Sequence, residues 1–348
     1  MMLDHWLKPL LNPGPQEYFD LGNFPLTTGY TLRNAKLAYT TYGDLESAKG
    51  KAILFPPQFT GTSESMEIFI GPGRPLDPTK YFIILPGQFS DGSSSSPSNT
   101  PPPFNQGAFP PITYADDVIA QHRLVTEQFN ISELYAVLGW SGGALQTYEW
   151  AVRYPSMVKR AATFSGAAKT PVHTQILLSR LARELLRSDP AWNNGFYTDH
   201  HAVQVGLRRH SHVFALMSLT PEFYREETWS KVGFSSPDDF IAGQFEAQFL
   251  ALDPNNLLSQ VDKVLKADVS VHTNGDLAAA LARITAKTFV VSFTGDMIFT
   301  RKDCEADAAL IPNAQLWFID SVWGHNTMMS PMDEDMKVID QVLGEVLG

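Results

Sequence analysis

Short, nearly unbroken apolar runs recur along the chain and alternate with segments whose apolar residues follow a helical period. Runs of this kind are typical of strands buried on both faces of a sheet. They predict strands at residues 51–57, 81–86, 134–138, 160–164, 287–293 and 315–319. Residues 1–30 are predicted to form an arm and a first strand, and residues 30–42 alternate apolar and polar positions as a half-buried strand does.

Segments in which apolar residues recur with a helical period separate these strands. Residues 112–129 and 144–152 place apolar residues as amphipathic helices do. Strands and helices in this order favour an α/β fold, with a mainly parallel sheet and helices on both faces. Residues 87–111 are rich in Ser, Pro, Gly and Asn, a composition that cannot fill a core. They are predicted to form a long surface loop that borders the active site, and a disordered linker is the alternative.

From residue 171 the pattern changes, because helical segments dominate until the apolar strand runs resume at residue 287. Helices are predicted at residues 174–187, 240–250 and 256–266. The chain is therefore predicted to have a core domain made of residues 1–170 and 286–348. Residues 171–285 are predicted to be inserted as a helical cap over the carboxyl edge of the sheet.

The charge and the cysteine content limit which binding partners and which cellular location are expected. The 348 residues include 26 basic and 37 acidic side chains, giving a net charge of −11, and no run of Lys or Arg occurs. This balance disfavours nucleic acid and anionic membranes as partners. Cys304 is the only cysteine, so no intramolecular disulfide can form. The first 15 residues lack a secretion-signal pattern and no apolar stretch reaches membrane-spanning length, so a cytoplasmic location is predicted.

The sequence Gly-Trp-Ser-Gly-Gly lies between the predicted strand at residues 134–138 and the predicted helix at residues 144–152. A serine at the apex of so tight a turn holds a strained backbone, and glycines two positions either side remove Cβ atoms that would clash. Gly139 and Gly143 occupy those positions. Ser141 is therefore predicted to be a nucleophile, and the alternative is a glycine-rich turn without chemistry.

Two backbone N–H groups are predicted to form an oxyanion hole. The N–H of Gly142 follows the nucleophile at the positive end of a helix. Residues 58–61, Gln-Phe-Thr-Gly, leave the strand at residues 51–57, where the second donor of such a site is expected, and the N–H of Phe59 is the candidate. An ordinary polar turn is the alternative for this loop.

A serine hydroxyl needs a base within hydrogen-bond reach and a carboxylate that orients this base. Asp296 follows the strand at residues 287–293, and His325 follows the last predicted strand. Both loops open at the sheet edge that carries Ser141, and the order Ser, Asp, His suits this type of turn. Alternatives within the chain are Asp320 as the acid, and His122 or His272 as the base.

Four histidines within the predicted cap raise the question of a metal site. They are His200, His201, His210 and His212. No carboxylate accompanies them at the spacing typical of a metal-binding helix. We therefore predict solvated or packed histidines and no metal.

Several segments resemble the homoserine O-acetyltransferase family of α/β-hydrolase-fold proteins, over most of the chain. The matching segments are GWSGGALQTYEWAVRYP, QFTG, GPGRPLDPTKYFII, DPAWNNGFY, GDMIFT and GHN. The resemblance implies an α/β-hydrolase fold and acyl transfer through an acyl-serine. It also implies a helical cap that forms a tunnel to Ser141, dimerisation through that cap, and no metal or other cofactor.

The chain departs from this family at its substrate contacts. Gly142 and Ala144 replace a methionine and a glycine of the family's turn. The family's arginine for the substrate carboxylate aligns with Ser211, although Arg208 or Arg209 is a substitute, and Asn326 replaces an aspartate that captures the substrate amine. The predicted substrate-binding residues are Trp140, Asn326, Arg208 and Arg209. Losing a charged partner weakens binding by several kcal/mol, so homoserine is not the expected substrate.

Three functional hypotheses follow. In the first, water deacylates Ser141, and the protein is an ester or amide hydrolase for a small, largely uncharged metabolite. In the second, an alcohol other than homoserine accepts the acyl group, with acetyl-CoA or another acyl-CoA as co-substrate. In the third, the fold binds a ligand without turnover, but a binding protein has no need of a complete Ser-Asp-His set.

Overall fold

The structure, a computed structural model, describes residues 16–348 and places one eight-stranded sheet at their centre. The strands are β1 (Glu17–Pro25), β2 (Thr31–Tyr42), β3 (Ala52–Leu54), β4 (Phe82–Pro86), β5 (Ala136–Trp140), β6 (Arg160–Phe164), β7 (Lys287–Phe293) and β8 (Ala314–Ile319). Their order across the sheet is β1-β2-β4-β3-β5-β6-β7-β8. The predicted arm falls largely within residues 1–15, which lie outside the described residues.

Strand directions confirm the predicted α/β class. β1 and β2 are antiparallel, as are β2 and β4, whereas every later pair across the sheet is parallel. Most strand predictions hold to within about two residues. β3 is shorter than predicted because Pro56 and Pro57 follow it, and proline has no backbone N–H for the strand ladder.

Helices cover both faces of the sheet and fill residues 172–281. Before that segment lie α1 (Tyr114–Arg123) and α2 (Gly142–Arg153). Within it lie α3 (Val172–Leu178), α4 (Glu184–Arg187), α5 (Gln204–Ser218), α6 (Pro221–Arg225), α7 (Thr228–Lys231), α8 (Pro237–Phe240), α9 (Ala247–Leu250), α10 (Pro254–Lys266) and α11 (Leu277–Leu281). The last two are α12 (Arg301–Leu310) and α13 (Asp333–Leu347).

Shorter helical turns complete these elements. The 3₁₀ turns are Glu67–Phe69, Gln106–Ala108, Asn193–Gly195, His200–Ala202, Val269–Thr273 and Gly324–Met329, and the π segments are Leu124–Gln128, Ser179–Arg183 and Ile241–Glu246. The π segments explain why the predicted helices at residues 112–129, 174–187 and 240–250 appear as pieces. An extra residue per turn interrupts the α-helical hydrogen bonding there without ending the helix.

The core has three apolar clusters. One lies beneath α1 and α2 and contains Trp150, and a second lies beneath α13 and contains Val342. The third lies among the helices of residues 172–281 and extends to Phe59 and Trp323. These helices fall within the segment predicted as the cap, and we call residues 171–285 the cap. Because the third cluster includes residues of the loops after β3 and β8, the cap packs directly over the carboxyl edge of the sheet.

The prediction that residues 87–111 form a surface loop is wrong for the first part of the segment. Residues 87–90 and 94–97 are buried, while residues 101–104 are exposed. Ser94 Oγ accepts the N–H of Ala38 at 3.1 Å, and Ser95 Oγ accepts the N–H of Lys36 at 3.0 Å. Polar residues can fill this interior position because their hydrogen bonds to β2 satisfy both partners.

Among residues 16–348, no helix is both long enough and apolar enough to cross a membrane.

Candidate active site

Ser141 stands on the turn between β5 and α2 in a conformation that few L-residues adopt, with φ 53° and ψ −119°. Its N–H donates to Phe164 O at 2.9 Å. A Cβ on Gly139 would lie 2.1 Å from Gly143 O, and one on Gly143 would lie 2.5 Å from Pro56 O. The two glycines are therefore required by close backbone packing, as the sequence predicted.

His325 connects Ser141 to Asp296. Its Nε2 lies 2.8 Å from Ser141 Oγ, and its Nδ1 lies 2.8 Å from Asp296 Oδ2. All three side chains are buried. With the Nδ1 proton directed at the carboxylate, Nε2 is left to accept the serine proton, which is the arrangement that activates a serine hydroxyl.

Asp296 is held at both carboxylate oxygens. Its Oδ1 accepts the N–H groups of Ile298 at 2.8 Å and Phe299 at 3.1 Å. Its Oδ2 accepts the hydroxyl of Ser165 in addition to the His325 proton. Ser165 Oγ lies 3.2 Å from His325 Nδ1. These hydrogen bonds fix the orientation of the carboxylate toward the imidazole.

The alternatives considered from the sequence lie elsewhere. Asp320 is exposed. His122 stacks on Tyr154, with ring centroids 4.1 Å apart, and His272 Nε2 lies 3.0 Å from Glu149 Oε1. Within residues 16–348, none of these three side chains lines the cavity at Ser141. Within the same residues, none of them forms a hydrogen bond with His325.

The backbone nitrogen of Phe59 lies close to Gly142, the residue that follows Ser141. A Cβ on Gly142 would come within 2.8 Å of Phe59 N. Within residues 16–348, neither N–H donates to a protein acceptor. Two free, adjacent N–H groups beside a serine hydroxyl have the geometry that stabilises a carbonyl oxygen as it becomes an oxyanion.

Gly142→Ala tests this arrangement. The added Cβ would lie 2.6 Å from Tyr114 Oη and 2.8 Å from Phe59 N, so the Phe59 loop has to move away. We expect kcat to fall on the order of 10²-fold, the effect of losing one oxyanion donor. Gly344→Ala in α13 is the control, since its Cβ meets nothing within 4 Å. Equal kcat values for the two variants would contradict the assignment of Phe59 and Gly142.

A cavity of about 320 Å³ opens at Ser141. Aromatic and amide side chains dominate its lining, and no Asp, Glu, Lys or Arg is among the described lining residues. These are Gln58, Phe59, Thr60, Trp140, Ser141, Phe214, Gln244, Phe245, Gln248, Phe249, Trp323, His325, Asn326 and Met329. Such a lining accommodates an uncharged ligand and gives no partner to a buried charge.

The family follows from a comparison of sequences. The profile of the alpha/beta hydrolase fold matches residues 51–331. The chain belongs to the α/β-hydrolase fold family. Its relatives include an ethyl acetate hydrolase from Pseudomonas veronii, 42% identical over 97% of this chain and 96% of that protein. A homoserine O-acetyltransferase from Methanococcoides burtonii is 31% identical, with 92% of this chain and 72% of that protein covered. The predicted resemblance to the homoserine enzymes is thus confirmed.

Solved structures place this α/β hydrolase close to esterases. An acetylester hydrolase from Corynebacterium glutamicum superposes with a TM-score of 0.93 at 41% identity, over 96% of each chain. The predicted α/β-hydrolase fold is therefore confirmed for the described residues.

Two predicted substrate-binding residues of the α/β hydrolase lie in the cavity wall. Trp140 Nε1 donates to His325 O at 3.1 Å. Asn326 Nδ2 donates to Ser218 Oγ of the cap at 3.0 Å. Both side chains thus line the cavity and also hold the loop that carries His325.

The predicted role of Arg208 and Arg209 has no support in the positions of these side chains. Arg208 pairs with Glu246, and Arg209 Nη1 lies 3.4 Å from Ser188 Oγ. Both are exposed and neither lines the cavity. The reason is the helical period, since α5 turns these two positions outward and buries Ser211, whose hydroxyl bonds to Arg208 O at 2.7 Å.

The cap histidines do not converge on one site. His200 and His201 lie beside Asp199 at the surface, and their side chains are within 4.8 Å of one another. His212 pairs with Glu246. His210 is buried, and this burial lowers the pKa of its imidazole to about 4. The four therefore occupy surface and packing positions, and none lies in the cavity wall at Ser141.

Sequence reasoning missed Ser165, although a signal was present. Ser165 directly follows β6, the neighbour of the nucleophile strand, so its side chain emerges at the same sheet edge as Ser141. Cys304 lies beneath this group, and burial together with Asp296 and Asp307 raises the pKa of its thiol to about 12. The lone cysteine is therefore a neutral thiol near neutral pH and does not compete with Ser141 as a nucleophile.

Proposed function

We propose that the protein is a serine hydrolase that cleaves small, uncharged carboxylic esters through an acyl-Ser141 intermediate. The observation that carries the proposal is the series of Ser141, His325 and Asp296, which opens into a cavity without charged walls. Relatives named as an ethyl acetate hydrolase and an acetylester hydrolase, at 42% and 41% identity, support the same substrate class.

In the proposed acylation step, Ser141 Oγ attacks the ester carbonyl carbon while His325 Nε2 takes the hydroxyl proton. The carbonyl oxygen becomes an oxyanion and accepts the N–H groups of Phe59 and Gly142. When the tetrahedral intermediate collapses, the carbon–oxygen bond to the alcohol breaks, and His325 gives its proton to that alcohol. Asp296 stabilises the imidazolium that exists between these proton transfers.

Deacylation repeats these steps with water. His325 removes a proton from water as the water oxygen attacks the acyl carbon, and the proton then returns to Ser141 Oγ as the acid leaves. Ser141, His325 and water supply every atom and proton that the reaction requires. The proposed reaction thus needs no metal or other cofactor.

The size and the uncharged lining of the cavity favour a small neutral substrate. Its volume of about 320 Å³ lies at the lower end of the usual range for small-molecule sites. A carboxylate or ammonium group placed there would lose its hydration without gaining a charged partner, at a cost of several kcal/mol. This is the reason for preferring a neutral ester to homoserine, which carries both charges.

An acyl-CoA-dependent O-acyltransferase is the second candidate function. It is supported by the 31% identity to a homoserine O-acetyltransferase and by the shared acyl-serine chemistry. Its acceptor would be a neutral alcohol, because the cavity wall offers Asn326 where an amine-binding aspartate is expected. A ligand-binding role without turnover is less well supported, because hydrogen bonds connect the nucleophile to the base and the base to the acid.

The experiment supplies ethyl butanoate, monoethyl succinate and acetyl-CoA to the protein, each with and without alcohol acceptors. We expect ethyl butanoate to be hydrolysed, with kcat/KM above that of the similarly sized anionic ester by about 10²-fold or more. Acceptors should leave the rate of acid formation unchanged. Formation of acylated alcohol from acetyl-CoA at the expense of acid would reject the hydrolase in favour of the transferase.

The remaining expectations belong to the same proposal. A cytoplasmic location is supported by the single, unpaired Cys304. A homodimer through the cap is supported by Val172 and Ile176, which lie one turn apart on α3 and are exposed. A small molecule, rather than nucleic acid or a membrane, is the proposed partner because the chain carries a net charge of −11.

A further inference from the structure

Helix α10 of the cap inserts a lysine into the interior of the protein. The Lys263 side chain is 0% exposed. Its ammonium donates to Asp117 Oδ2 at 2.8 Å, Phe89 O at 2.7 Å and Gln88 Oε1 at 3.0 Å. All three N–H groups are therefore used, which is the condition under which a lysine is tolerated in an interior.

The ammonium determines which way the amide of Gln88 faces. An ammonium group can only donate, so the amide oxygen of Gln88 must point to Lys263 and the NH₂ group must point away. Gln88 Nε2 donates to Gln58 O at 2.8 Å and to Gly61 O at 2.9 Å. These carbonyls belong to the loop that carries Phe59.

The direction of the Phe59 N–H follows from the position of Gln58 O. The two groups belong to the same trans peptide, in which the C=O and the N–H point in opposite directions. Gln58 O is held by Gln88 Nε2 and by the N–H of Gly61, the latter at 2.8 Å. Two donors behind the peptide therefore fix the direction of the Phe59 N–H, whose nitrogen lies beside Gly142, the residue that follows Ser141.

The same helix holds the next peptide of the loop. Gln260 Oε1 accepts the N–H of Thr60 at 2.8 Å, and Gln260 Nε2 donates to Ser90 O at 2.8 Å. Gln260 lies three residues before Lys263, which places both side chains on the buried face of α10. Both peptides that flank Phe59 are thus anchored, one directly and one through Gln88, from the cap.

The geometry points to Lys263 and Gln88 as positioning residues that aim the Phe59 N–H at the reacting carbonyl oxygen. This inference rests on the proposed function, because it assigns the oxyanion donor a means of alignment. Without the ammonium, the amide of Gln88 is free to rotate and present its oxygen to Gln58 O. Two facing oxygens repel, so the peptide turns and the oxyanion loses a donor.

Gln88→Glu is the sharpest test because the two side chains have the same shape. The carboxylate keeps an oxygen on Lys263 but has no N–H for Gln58 O and Gly61 O. We expect kcat for ethyl butanoate to fall on the order of 10- to 10²-fold, somewhat less than complete loss of an oxyanion donor, with KM changed by less than about threefold. Affinity for a trifluoromethyl ketone, which forms an oxyanion on Ser141, should fall by the same factor.

A second variant removes the ammonium without leaving a buried charge unpaired. Lys263→Met combined with Asp117→Asn is expected to lower kcat in the same way, again with KM nearly constant. The control is Asn256→Ala, on the same helix. Asn256 Oδ1 accepts the N–H of Ser98 at 3.1 Å, and Asn256 Nδ2 donates to Ser98 Oγ at 2.8 Å. Neither of these hydrogen bonds involves residues 58–61. This variant should lose cap contacts while keeping kcat.

Crystal structures of the variants give a readout that does not require turnover. A turned Gln58–Phe59 peptide in Gln88→Glu, and an unturned one in Asn256→Ala, supports the inference. An unmoved peptide in Gln88→Glu overturns it, as does a kcat loss shared by the control. If wild-type protein hydrolyses no ester, the proposed function fails, and the orientation of this peptide in the variants still decides the positioning role.

Discussion

Ser141→Ala is expected to lower kcat for ethyl butanoate on the order of 10⁶-fold, the loss found when a serine nucleophile is removed from a complete Ser-His-Asp set. Alanine keeps the backbone of the turn but has no oxygen for His325 to deprotonate. An alkyl phosphonate should add its mass to the wild-type chain at Ser141 and leave the variant unlabelled. The thermal midpoint should stay close to that of wild type, because the variant loses one side-chain hydrogen bond, to His325, among residues 16–348.

Ser188→Ala is the matched control for this variant. Ser188 is exposed after α4 and lies outside the cavity lining. It should keep kcat within about twofold of wild type, as most surface substitutions do. Unchanged turnover in Ser141→Ala would remove the proposed mechanism altogether.

Asp296→Asn is expected to lower kcat by about 10⁴-fold while the protein remains folded. The amide oxygen can still accept the N–H groups of Ile298 and Phe299. Its NH₂ group then faces His325 Nδ1 and favours the tautomer that carries its proton on Nε2. Such an imidazole cannot accept the proton of Ser141, so the loss should appear in kcat, with KM little changed.

Asp320→Asn is the control, because this exposed acid was the alternative partner for His325. It should retain kcat within about twofold of wild type. The opposite ranking of the two variants, with Asp320→Asn the more damaged, would show that the acid has been assigned to the wrong residue.

The strands and the nucleophile turn could be predicted because local sequence determines them. An apolar run such as residues 287–293 has few alternatives to a buried strand, and Gly139 and Gly143 are required by contacts of 2.1 and 2.5 Å. Asp296 and His325 could be predicted for a related reason. Each follows a strand of one parallel sheet, so their loops meet at one edge even though the chain separates them widely.

Contacts between distant segments were not accessible from the sequence. The burial of residues 87–90 and 94–97 depends on hydrogen bonds to β2 and to the cap, and a run of Ser and Gly gives no indication of such partners. Lys263 is a similar case, since a lysine on an amphipathic helix is expected to face water. The outward direction of Arg208 depends on the register of α5, in which an error of one residue rotates a side chain by about 100° around the helix.

The buried ammonium of Lys263 also bears on how ester and products exchange with solvent. Lifting α10 away from the core would separate this ammonium from Asp117, and removing one partner of such a buried pair destabilises a protein by about 3–5 kcal/mol. We therefore expect the cap to stay closed over Ser141 during turnover. We expect ester and products to exchange past the partly exposed Gln244 and the exposed Gln248 in the cavity wall, so that turnover does not wait for a domain to open.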